Sequence, residues 1–111
     1  TKAIRIECRI GGSDLNPYLA QAAMLAAGMK GITDKMTLPE PTKGDVYEDS
    51  KAQDIPQTLR EATKNLRASK MLREAMGDDV IAHYTRAAEW EQEEFDEAVT
   101  DWEIARGFER A

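Results

Sequence analysis

Arg5, Glu7 and Arg9 stand at every second position of the run Ala3-Ile4-Arg5-Ile6-Glu7-Cys8-Arg9-Ile10. In a β-strand alternate side chains point to opposite faces, so this spacing places one carboxylate between two guanidiniums on one face. Ile4, Ile6, Cys8 and Ile10 then share the other. Glu7 offers the hard oxygens a divalent cation takes, and the planar donor forks of Arg5 and Arg9 match phosphate or carboxylate. The same pattern also describes a half-buried strand with a charge-paired, solvated outer face.

The elements that must hold this row follow at once. Gly11-Gly12-Ser13-Asp14 is a turn cluster, Asn16 suits a helix N-cap, and Pro17 suits the first helical position, where its missing donor costs nothing. A helix over 16–32 carries Ala20, Ala22, Ala23, Ala26 and Ala27 between Leu19, Met24, Leu25 and Met29. Apolar over most of its circumference, it is expected to be the buried core helix. Residues 33–54, with Pro39, Pro41 and Gly44, predict a loop. Tyr47 within it is either an anchor against the surface or an exposed, modifiable phenol, and the packing habit of aromatic bodies favours the anchor.

Residues 58–111 predict helices. Thr58-Leu59-Arg60-Glu61 matches a capping box, Ser69 restarts a short helix ending at Gly77, and Asp78 or Asp79 caps a long final helix. Val80, Ile81, Tyr84, Ala87, Ala88, Phe95, Ala98, Val99 and Trp102 recur along it at intervals of three or four, which predicts a core-facing stripe. Opposite lie Glu89, Glu91, Glu93, Glu94, Asp96 and Glu97, with no histidine at helical ligand spacing, so a solvated acidic face is expected rather than a metal site. His83 has no visible partner group, and Trp90, off the stripe, marks a second packing face.

Composition bounds the rest. The 111 residues fit one domain, and 32% charged with 41% apolar residues is ordinary for a soluble globular chain. A net charge of −6 without a basic cluster argues against a nucleic-acid or anionic-membrane surface. No apolar run approaches the ~20 residues that span a bilayer, and no leader pattern opens the sequence, so a cytoplasmic protein is expected. Cys8, the single cysteine, falls on the apolar face and is expected to be a buried, reduced thiol. No second convincing strand follows Ile10 and no initiator Met precedes Thr1, so the partner sheet is expected from residues upstream. Walker, dinucleotide-glycine, zinc-spacing and Ser/His/Asp patterns are lacking.

Three further runs, in order, carry a resemblance: Arg5-Ile6-Glu7-Cys8-Arg9, Asn16-Pro17-Tyr18-Leu19-Ala20, and Ala26-Ala27-Gly28-Met29-Lys30-Gly31-Ile32. Together with Ile55-Pro56-Gln57-Thr58-Leu59-Arg60-Glu61-Ala62 and Val99-Thr100-Asp101-Trp102-Glu103, the chain resembles the C-terminal part of the catalytic domain of glutamine synthetases and related γ-glutamyl amide ligases. The resemblance implies a mainly α fold, the helical C-terminal segment of an α+β catalytic domain, with one N-terminal β-strand over 1–10. It implies an ATP-dependent ligase that uses Mg²⁺ or Mn²⁺, phosphorylates the γ-carboxylate of glutamate and lets ammonia displace phosphate. Methylamine or a polyamine as acceptor, or a non-catalytic regulatory member, are the alternatives.

Residue by residue, the resemblance makes Glu7 the metal ligand and Arg9 the glutamate-binding arginine, with Arg5 and Lys2 near the ATP phosphates. The partners it implies are the rest of the catalytic domain and further copies, a dodecamer in the family. This segment alone is expected to be inactive, since members of an interdependent constellation do not catalyse singly. Tyr47 lies roughly where some bacterial members carry an adenylylated tyrosine, but Gly44-Asp45-Val46-Tyr47-Glu48-Asp49 departs from that context.

Overall fold

In a computed structural model, residues 3–41, 43–45 and 54–110 are described. They form five helices: α1 (Pro17–Thr33), α2 (Leu59–Ala68), α3 (Lys70–Met76), α4 (Asp78–Glu97) and α5 (Asp101–Glu109). The fold is thus mainly helical. Among the described residues none lies in a β-strand, so the strand expected over 1–10 is not seen over residues 3–10. A lone strand has no neighbour for its backbone donors and acceptors, and no described segment offers one.

Each helix start has a chemical cause. Asn16 Oδ1 accepts from the Tyr18 and Leu19 amides at 3.0 and 3.2 Å and opens α1. The end of α1 is closed by Lys35 at φ 52° and by the Met36 amide donating to Gly31 O at 3.0 Å. Thr58 Oγ1 accepts from the Glu61 amide at 3.2 Å, but the Glu61 carboxylate reaches past the cap to the Gln57 amide at 2.8 Å. Ser69 ends α2 and starts α3, accepting from the Leu72 amide at 3.2 Å.

Two expectations for the C-terminal half are corrected. Gly77, at φ 90° and ψ 153°, occupies the N-cap of α4 without a side-chain bond, and Asp78 and Asp79 sit in the first turn, where they complement the helix dipole. That backbone conformation is open essentially to glycine alone. The long final helix is two helices: Ala98 leaves the helical region at ψ 128°, and Thr100 and Glu103 form a reciprocal capping box that opens α5. The sequence motif Thr-x-x-Glu was there to mark that break.

Packing concentrates where α2 lies along α4 and where α3 touches α1 and α4. Ile81 is the single buried apolar side chain among the described residues, joined by buried Thr63 and Thr85, and the burial of Ile81 contributes roughly 1.5–3 kcal/mol. α1 has no buried residue, contrary to its expected place as the core helix. Its Leu19, Ala20, Ala23 and Ala26 are half-buried, on the side toward α3, whereas Leu25, Met29 and Ile32 on other sides are exposed. Phe95, Val99 and Trp102, expected to face a core, are likewise exposed. A radius of gyration of 18.9 Å, against about 13 Å for a compact domain of this length, gives the reason: too little chain surrounds these faces to cover them.

Candidate functional site

The segment leading into α1 shows the alternation of side chains over residues 6–9, without ladder pairing. Arg9 Nε donates to Glu7 Oε1 at 2.5 Å, so the carboxylate and one guanidinium share a side. Ile6 and Cys8 instead line an open groove of about 750 Å³ over α1, facing Met24, Leu25, Met29 and Ile32. Leu15, whose amide donates to Gly12 O at 3.4 Å, closes the turn between segment and helix, and a Cβ on Gly11 would overlap its side chain.

The pair is open to solvent. The Glu7 side chain is 54% and the Arg9 side chain 86% exposed, and an exposed pair of this kind contributes about 0–1 kcal/mol. Arg9 is thus held weakly enough to exchange its partner for an anionic ligand. Arg5 forms no ion pair with another described residue, and Lys2 lies outside the described residues, as does Tyr47. Cys8 is exposed, not buried as expected, because its apolar side looks into the uncovered groove.

Glu7 fits a divalent cation in a limited sense. Oε1 takes the Arg9 bond while Oε2 has no described partner, which leaves one hard oxygen free. Magnesium keeps waters and accepts one or two carboxylates together with substrate phosphates, so a single such oxygen is compatible with it. Among the described residues, no three His, Cys, Asp or Glu side chains converge into a metal cluster. Any fuller ligand shell has to draw on groups outside them.

The acidic face of α4 has a different role from solvation alone. Arg60 and Arg67 on α2 pair with Asp96, at 2.7 Å, and Glu89 on α4, and Arg86 holds Glu93 in a two-pronged contact at 2.8 and 3.1 Å. Arg60, Lys64 and Arg67 follow the i, i+4, i+7 spacing, and Glu89, Glu93 and Asp96 repeat it. That match in sequence was the readable signal for an antiparallel charged seam. His83 is exposed and stacks edge-on against Tyr84, with ring centres 5.2 Å apart. No described helix is long and apolar enough to cross a membrane.

The family model described as "Glutamine synthetase, catalytic domain" matches residues 1–107. The chain is 47% identical over 109 residues to the γ-glutamylethanolamide synthetase of Streptomyces coelicolor, a match covering 98% of this chain and 23% of that protein. It is 38% identical over 109 residues to the glutamine synthetase of Methanosarcina mazei, covering 92% of this chain and 24% of that protein. To a glutamate–isopropylamine ligase of a Pseudomonas species it is 37% identical over 106 residues, covering 94% and 23%. The chain belongs to the glutamine synthetase catalytic-domain family. It spans about a quarter of the length of these curated relatives.

Proposed function

We propose that this chain is the C-terminal portion of the catalytic domain of an ATP-dependent carbon–nitrogen ligase, which joins an amine to the γ-carboxylate of glutamate through γ-glutamyl phosphate. The observation that carries the reading is the side-by-side placement of Glu7 and Arg9, with Ile6 and Cys8 lining the open groove over α1. In this reading residues 1–10 are a strand of the catalytic sheet, 16–32 the helix beneath it, 33–54 a loop and 58–111 the closing helices. The rest of the domain supplies the neighbouring strands and covers α1. The assembled enzyme is a cytoplasmic homo-oligomer.

Each residue then has a role. Arg9 grips a carboxylate of glutamate with its planar fork, and Arg5, with Lys2, faces the nucleotide phosphates. Glu7 does two things: it orients Arg9 before substrate arrives and directs its free oxygen to a Mg²⁺ or Mn²⁺ ion. When bound, that ion offsets the negative charge that develops on the phosphoryl oxygens. Preorganised charge of this kind is the main way a protein assists phosphoryl transfer.

Ammonia is the acceptor of the primary reading, with glutamine as product. A second reading, an alkylamine or amino alcohol as acceptor, is favoured by the 47% identity to a γ-glutamylethanolamide synthetase. Glutamate-dependent ADP release by the full-length protein, with ammonia, methylamine, ethanolamine and putrescine in turn, separates the two. Glu7→Gln is expected to lower that rate by 10²-fold or more, the typical order for loss of one preorganised charged group. An unchanged rate removes Glu7 from the site, and no turnover with any amine favours a non-catalytic member.

A further inference from the structure

We draw no further inference here: the strongest candidate, the apolar groove between the segment 4–10 and α1 lined by Ile6, Cys8, Met24, Leu25, Met29 and Ile32, is an unpartnered face, and nothing in the structure shows what covers it.

Discussion

Thr85 makes the sharpest claim at the scale of single residues. The residue is 3% exposed and its Oγ1 has no hydrogen-bond partner among the described residues, whereas Thr63, the other buried threonine, donates to Leu59 O at 2.7 Å. A buried hydroxyl without a partner carries a desolvation cost of about 1–3 kcal/mol. Thr85→Val keeps the branched shape and removes that cost, so chemical denaturation should show equal or higher stability; a loss of 1 kcal/mol or more would mean that the hydroxyl is satisfied in solution. Neither threonine could be picked out in the sequence, because helical spacing says which residues share a face and not which hydroxyl finds a carbonyl. Glu7 and Arg9 are the contrary case: a period of two is so local that their pairing was legible before any tertiary contact.

At the scale of elements, Arg73 ties three helices together. From α3 its guanidinium donates to the Arg67 carbonyl at the end of α2, at 3.2 and 3.0 Å, and to Asp78 Oδ1 in the first turn of α4, at 2.8 Å. Arg73→Ala should therefore lower stability by about 1 kcal/mol, and Arg73→Lys should recover only part, because an ammonium cannot reproduce the fork. Full recovery by lysine in denaturation curves would reduce Arg73 to a point charge. The seam between α2 and α4 adds a pH dependence. Hydrogen bonds from Arg60 hold the Asp96 carboxyl below the usual carboxylate range, and within α4 those from Arg86 do the same for Glu93. Folded values depressed below the unfolded ones mean that this contribution is complete above about pH 5 and is lost as pH falls through the folded values. Thermal melts from pH 7 to pH 3 should drop on the acid side, and less so in Arg60→Ala. The capped starts at Asn16, Thr58 and Ser69 were legible because a cap is a local bargain between one side chain and nearby amides. Arg73 was not, since its partners depend on how three helices meet.

For the whole molecule, the family and the mainly helical architecture were legible from ordered motifs, while the depth of burial was not. An apolar pattern states which side of a helix prefers to leave water, and whether anything arrives to cover it depends on chain elsewhere. That is why the pattern of α1 predicts a core helix while the helix stands exposed on most of its sides, and why Cys8 is exposed on the face its pattern marks as apolar. The last helix carries this furthest. α5 has its own capping box and an Arg106 guanidinium 5.1 Å above the Trp102 ring, yet it has no buried residue and no substantial packing against another helix. Nine residues are too few for a helix to persist on propensity alone, so its stability is decoupled from the rest. Limited proteolysis of this chain should cut first at Ala98-Val99-Thr100, and a form ending at Ala98 should melt at the same temperature as the whole; a clear fall would reveal packing by α5. Cooperative unfolding is thus expected to stop at Ala98, with the last nine-residue helix a thermodynamic passenger that gains a melting transition only when another surface lends it one.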